Sequence, residues 1–368
     1  CRTGRVTKVT WSQILAWRLR RQFVTGADGP DAVAVVRRLC GVQAQVASSA
    51  RLAVAVRSAR PDAAEVDRAL WSERTLVKTW LMRGTLHLVA AGELADHCAT
   101  LATLRFWEKG SWQRGHGVTA DEIAAVIDAV PLVLTGDPLT REELVDAVVA
   151  KTGDEHLREA LTSGWGALLK PLSRLGELCY GPPRDGRVTF TAPARWVPGW
   201  PGTLPPHEKA GVRVLRAFLS AYGPATPEMF DAWLFGGVAR KAVLKGWFRE
   251  LAPELAEVET DDGMTLLLPA EHLDDLAGTA ETSAVHLLPG FDQYILAAPR
   301  SLAPLLPPEL RPKVSRQAGW ISPVVVHGGR VAGVWDAKGR DITLDLAGTV
   351  PSGPLAEAVE RMRALLAA

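Results

Sequence analysis

Helix starts and tight turns alternate along this chain in a repeated order, and that order restricts the fold more than any other feature of the sequence. Thr10 with Gln13 forms a capping box for a helix over 11–23. Asp31 caps a second helix carrying Val33, Val36 and Leu39, and Gly41 stands where a helix stops. Further helices are expected over 48–58 and 62–72, then a short strand over 84–89. Helices closing on a strand are the order of a winged helix-turn-helix.

The order recurs. Thr119 opens a helix to about 132, and Thr140 with Glu143 opens another to about 150. A helix over 163–175 stops at Gly176, and strands 177–180 and 187–191 flank the turn 181–186. A third round follows the proline-rich loop 198–206: helices 207–221, 226–234 and 238–249, then strands 255–260 and 264–268 around Asp261-Asp262-Gly263. From 284 the character changes. Strands at 285–288, 294–297, 324–327, 331–335 and 342–346, with a closing helix at 354–367, read as a small sheet or partial barrel. The expectation is an α+β chain, mainly helical, of four sections: 1–115, 116–200, 201–283 and 284–368.

The usual catalytic signatures are missing from the sequence: no GxxxxGK[ST], no GxGxxG in a βαβ setting, no HExxH and no GxSxG. No cofactor or metal is expected, and the cysteines at 1, 40, 98 and 179 form no CxxC pair. They read as reduced thiols of a cytoplasmic protein. No apolar run is long enough for a membrane helix, and the first ten residues lack the apolar stretch of an export signal.

Charge is unevenly spread. The 42 basic and 41 acidic residues nearly cancel, yet residues 1–60 hold 11 Lys/Arg against 2 Asp/Glu. Residues 250–285 hold 10 acids and no Lys or Arg, and 286–340 hold 7 bases against 3 acids. Two basic ends about an acidic middle suggest a one-sided electrostatic surface, although arginine-rich helices are also commonly just solvated.

Two places in the basic sections draw attention. Gln43 and Gln45 follow the basic residues Arg37 and Arg38. In extended chain they project to one side, where two carboxamides can hold a water or a base edge; equally, they can cap neighbouring helices. His327-Gly328-Gly329-Arg330 lies between two β-branched runs and reads as a hairpin tip, with Arg311, Lys313 and Arg316 upstream. Such a tip either enters a DNA groove or closes an ordinary core hairpin. Asp292, in Leu288-Pro289-Gly290-Phe291-Asp292, is an active-site carboxylate or a loop cap. His87 reads as a core histidine.

The segments Trp80–Val89, Leu288–Asp292 and Arg330–Trp335 resemble a bacterial winged-helix family that includes the AlkZ-type and YcaQ-type DNA glycosylases. The resemblance runs over essentially the whole chain, in order. It implies three tandem winged helices plus the C-terminal sheet, curved into a concave body that binds double-stranded DNA. It also implies a catalytic Gln-apolar-Gln motif in the AlkZ branch, matched here by Gln43-Ala44-Gln45; the YcaQ branch carries Asp at the third position. The implied activity is that of a monofunctional, monomeric DNA glycosylase excising N7-alkylated purines and unhooking interstrand crosslinks, in self-resistance to a genotoxin such as azinomycin. Arg37, Arg38, Arg316 and the tip 327–330 are the expected DNA contacts. The competing readings are a winged-helix transcription regulator and a non-catalytic DNA-binding adaptor.

Overall fold

The computed structural model describes residues 6–25, 30–62, 64–162 and 166–367. Thirteen described strands form four small sheets. In chain order they are β1 (Thr7–Val9), β2 (Val42–Gln43), β3 (Leu76–Trp80), β4 (Leu86–Ala90), β5 (Leu139–Thr140), β6 (Cys179–Arg184) and β7 (Arg187–Thr191). Then come β8 (Leu255–Thr260), β9 (Thr265–Pro269), β10 (Val285–Leu288), β11 (Val324–His327), β12 (Arg330–Lys338) and β13 (Asp341–Leu346).

A similar order of elements appears three times: a helix, a very short strand or bridge, two more helices (three in the second round), then a hairpin. The first round runs through helix Ala32–Arg38, β2, helices Ala47–Ala55 and Glu65–Trp71, and the β3–β4 pair. The second uses helix Ala120–Val133, β5, helices Arg141–Thr152, His156–Thr162 and Lys170–Leu175, and the β6–β7 hairpin. The third uses helix His207–Tyr222, the isolated bridge Ala225↔Leu267, helices Pro227–Leu234 and Lys241–Leu251, and the β8–β9 hairpin. The capping boxes at Thr10, Thr119 and Thr140 all form, each Thr side chain taking the backbone N–H three residues on. Of the helix expected over 163–175, residues 163–165 lie outside the described residues; the rest is a 3₁₀ turn, Ala167–Leu169, leading into Lys170–Leu175.

Three differences from the sequence reading bear on the site. Strand β1 crosses to the third round and pairs in parallel with β8, so the N-terminal helix Trp11–Arg21 sits against His207–Tyr222. The C-terminal strands form an open antiparallel sheet in the order β10-β11-β12-β13 and not a barrel. The strand expected at 294–297 is a helix, Gln293–Leu296, because the Asp292 carboxylate accepts the Tyr294 backbone N–H at 2.8 Å and starts a helical turn. That local bond outweighs the β preference of Tyr294 and Ile295.

The largest apolar core joins the first and third rounds to the C-terminal section, through Trp17, Leu39, Leu76, Trp233 and Leu288. A second core fills the middle round around Trp80, Leu144 and Phe190. A third lies under the C-terminal sheet and includes Trp335 and Met362. The described cysteines, 40, 98 and 179, are buried free thiols. No helix among the described residues is long and apolar enough to cross a membrane.

Candidate active site and nucleic-acid interface

The segment Cys40–Val46 takes the chain from one helix through β2 into the next. Cys40 and Gly41 adopt positive φ values of 51° and 104° to make the corner. A Cβ on Gly41 would stand 3.0 Å from Met82 Cε and 3.1 Å from the Leu88 carbonyl oxygen, so glycine is what lets β2 lie on β4. Gln43 then pairs with His87 across the sheet, and the Ala44 N–H reaches the Leu86 carbonyl at 2.7 Å. After that the chain leaves the sheet.

The two carboxamides sit in different surroundings. Gln43 is buried at 7% exposure. Residues directly opposed in an antiparallel pair point to the same face, so Gln43 shares its face with His87. His87 is fully buried; its Nδ1–H donates to the Thr85 carbonyl at 2.9 Å, and Nε2 has no partner. Burial pushes the imidazole pKa down to about 3, with the Arg83 charge acting the same way, so it stays neutral and Nε2 offers a lone pair. Gln45, two residues on, is exposed.

Gln45 also stands at an open helix end. In the second and third rounds the residue before the corresponding helix is a threonine, Thr140 or Thr226, whose hydroxyl caps it. In the first round the N-cap is Val46, with no side-chain bond. A missing cap costs about 1 kcal/mol and leaves backbone N–H groups pointing outward beside Gln45, a setting that favours a phosphate or the electron-rich side of a water. Two clefts flank this helix. One, of about 170 Å³, is bordered by Ala44, Ala47, Lys78 and the hairpin residues Tyr180 and Val188. The other, of about 480 Å³, is bordered by Ser48, Ser49, Gly290, Pro323 and Trp335.

Asp292 belongs to the framework. It is fully buried in a two-pronged ion pair with Arg57, at 2.7 Å for each nitrogen–oxygen contact. Arg57 also donates to the Ala53 and Gln22 carbonyls. Both Asp292 oxygens are thus occupied, and the pair ties the C-terminal end of helix Ala47–Ala55 to the turn after β10. The sequence left Asp292 open between catalyst and cap; the structure makes it a cap and an ion-pair partner. Arg57 was missed, since an isolated arginine 235 residues away carries no signal of its partner.

The expected DNA contacts divide. Arg37 is exposed and stands 3.6 Å from Glu93. Arg38 is half-buried over the Phe23 ring, with a 3.4 Å bond to the Arg21 carbonyl, and burial lowers its pKa. Arg316 and Arg330 are exposed and have no ion-pair partner among the described residues. His327 is half-buried. Gly328 and Gly329, at φ 58° and 82°, form the tip between β11 and β12. A Cβ on Gly329 would lie 2.5 Å from Leu15 Cβ, and the Tyr294 hydroxyl donates to the Gly329 carbonyl at 2.6 Å. The tip is therefore seated on helix Trp11–Arg21, which accounts for its glycines, while Arg330 faces outward.

The fold that carries this corner has a counterpart among known enzymes of DNA. The chain belongs to the AlkZ-like DNA glycosylase family, whose model matches residues 36–368. More particularly, it is 44% identical over 337 residues to the interstrand DNA cross-link repair glycosylase of Streptomyces sahachiroi, covering 92% of this chain and 90% of that one. Its fold matches the solved structure of the Streptomyces sahachiroi DNA glycosylase AlkZ with a TM-score of 0.92 at 41% identity, over 97% of this chain and 98% of the other.

Proposed function

We propose that this chain is a monofunctional DNA glycosylase that hydrolyses the N-glycosidic bond of N7-alkylated purines in duplex DNA and unhooks interstrand crosslinks made through that position. The observation that carries the reading is the Gln43–Gln45 corner: one carboxamide inside beside the neutral His87, the other at the surface before an uncapped helix.

An N7-alkylated purine is cationic and leaves readily, so the C1′–N9 bond breaks toward an oxocarbenium sugar. A general base contributes about 10²–10⁴-fold, which so activated a leaving group does without. What remains is to hold a water on the open face of the sugar and to aim dipoles at the developing charge. Gln45 is the residue we assign to the water, its exposed carboxamide oxygen accepting a hydrogen bond from one water O–H, while the proton released on attack passes to solvent. Gln43 steadies the water or the lesion sugar. Asp292, held by Arg57, takes no part in the chemistry.

Three rounds of a similar element order support three tandem winged helices. The unpaired Arg316 and Arg330, with Arg37, supply phosphate contacts, and Arg38, His327 and the turn 328–329 place them. We read the chain as a monomeric cytoplasmic enzyme, and self-resistance to a DNA-alkylating natural product such as azinomycin fits it.

Incubation with a duplex carrying one N7-methylguanine, followed by alkaline cleavage, tests this. Release of the base with strand cleavage only after alkali is expected. Tight binding to one undamaged sequence, with no release from any N7 adduct, supports the regulator.

A further inference from the structure

An exposed indole is linked, through Phe291 and Gly290, to the first turn of the helix that follows Gln45, and nothing in the proposed chemistry uses it. Trp320 is 45% exposed and is the one exposed aromatic side chain among the described residues. It ends a short loop, Arg316 to Trp320, in which all five residues are exposed. The loop is pinched at its base by the Ser315↔Ile321 bridge and by the Arg316 N–H to Trp320 carbonyl bond at 2.8 Å. Its tip turns through Ala318 and Gly319 at φ 55° and 75°. An alanine in the left-handed region is uncommon, so the closed base holds the loop's shape against local preference.

The indole is propped from one side. The Phe291 ring meets Trp320 edge-on, with centroids 5.0 Å apart and planes at 77°. Phe291 is itself held at φ 60°, next to the Asp292–Arg57 pair. The loop is also tied to the corner: a Cβ on Gly290 would lie 3.0 Å from the Ile321 carbonyl oxygen and 3.7 Å from Ser49 Oγ. Ser49 is in the first turn of helix Ala47–Ala55, one turn beyond Gln45. The Arg316–Trp320 loop is thus joined through Phe291 and Gly290 to the first turn of the helix that follows Gln45, with the unpaired Arg316 at the loop's other end.

A large apolar ring kept in water needs a reason, and the T-shaped contact with Phe291 covers at most one of its two faces. Aromatic faces held beside a cation are how proteins grip unstacked bases without reading their sequence. We infer that Trp320 stacks on a nucleobase displaced from the helix at the lesion, while Arg316 contacts an adjacent phosphate, so that this loop sets the preference for damaged over intact duplex. The inference rests on the glycosylase reading for where the lesion lies.

The test uses the full chain and a duplex in which the N7-methylguanosine carries a 2′-fluoro group, which blocks cleavage and leaves binding readable. Base–aromatic stacking predicts that Trp320→Ala weakens binding to this duplex about 5- to 150-fold, and binding to intact duplex hardly at all. Trp320→Phe should stay within about 3-fold of wild type, because it keeps a ring face. A 2-aminopurine next to the lesion in the same strand should brighten on binding wild type, as its neighbour leaves the stack, and not on binding Trp320→Ala. Should the alanine variant fail to fold, Trp320→Leu keeps apolar bulk on Phe291 without a ring face and carries the same expectation. Lesion binding unchanged in Trp320→Ala or Trp320→Leu, or equal loss in Trp320→Phe, overturns the inference. Absence of base release from the unmodified lesion by wild type is a failure of the glycosylase reading alone, since the binding arm does not depend on cleavage.

Discussion

Removing one partner of the Asp292–Arg57 pair should unfold the protein more easily without touching the chemistry. Both side chains are fully buried, and the carboxylate receives two arginine contacts at 2.7 Å and one backbone N–H at 2.8 Å. Asp292→Asn keeps the shape and leaves a buried guanidinium without its countercharge, which costs about 3–5 kcal/mol. For 368 residues the unfolding entropy near the midpoint is roughly 0.8 kcal/mol/K, so Tm should fall by about 4–6 °C if the chain melts as one unit. Replacing both partners, Arg57→Met with Asp292→Leu, removes both buried charges and should recover much of the loss. The Ala53 and Gln22 carbonyls then lose a donor, which keeps the recovery incomplete. The assay is thermal unfolding by circular dichroism, with single-turnover excision measured well below Tm. An Asp292→Asn protein that melts like wild type but excises nothing would refute the framework role and return the carboxylate to the chemistry.

Other perturbations separate the same roles. Gly329→Ala should lose about 2–4 kcal/mol in urea unfolding, because its φ of 82° and the Leu15 Cβ 2.5 Å away both resist a side chain. Gly186→Ala, at φ 74° in open space, should lose only about 1 kcal/mol, and equal losses would argue against a seated tip. Burial raises the Glu93 carboxyl from its ordinary value of 4.5 to about 7 despite Arg37. The folded form therefore holds a proton that the unfolded chain gives up, and stability falls as pH rises from 4.5 to 7. With the side chain still 32% exposed, Glu93→Gln should stabilise by about 1–2 kcal/mol near pH 8 and by little at or below 4.5, in denaturant titrations at both. Arg316→Ala and Arg330→Ala should each lower the log–log salt slope of duplex binding by about 0.9, and an unchanged slope removes that arginine from the interface.

Local chemistry was legible in the sequence, and long-range pairing was not. The capping threonines and the Gly328-Gly329 turn depend on neighbours within four residues. The same residues can be read directly. The turn expected over 181–186, by contrast, shrinks to Asp185-Gly186 because β6 runs on to Arg184. The parallel pairing of β1 with β8 and the Arg57–Asp292 pair join residues more than 200 positions apart, which no spacing rule reaches. At 294–297 a β-rich stretch misled because the deciding residue, Asp292, lies outside it. Gln43 and Gln45 were legible as a pair, but their division into a buried and an exposed carboxamide depends on where β2 leaves the sheet. Trp320 went unnoticed because a tryptophan between glycine and isoleucine looks like core.

The central claim is that carboxamides, and no carboxylate, carry the excision. Its most direct test is single-turnover release of N7-methylguanine from duplex by wild type, Gln43→Ala, Gln45→Ala and the double variant, with duplex affinity measured alongside. Loss of one oriented group that acts chiefly in the transition state predicts that Gln45→Ala slows release by about 10²–10³-fold, with affinity within about 3-fold of wild type. Gln43→Ala should be similar or milder, and the double variant less than additive if both hold one water. Release by Gln45→Ala at the wild-type rate, with a folded Asp292→Asn inactive, contradicts the account.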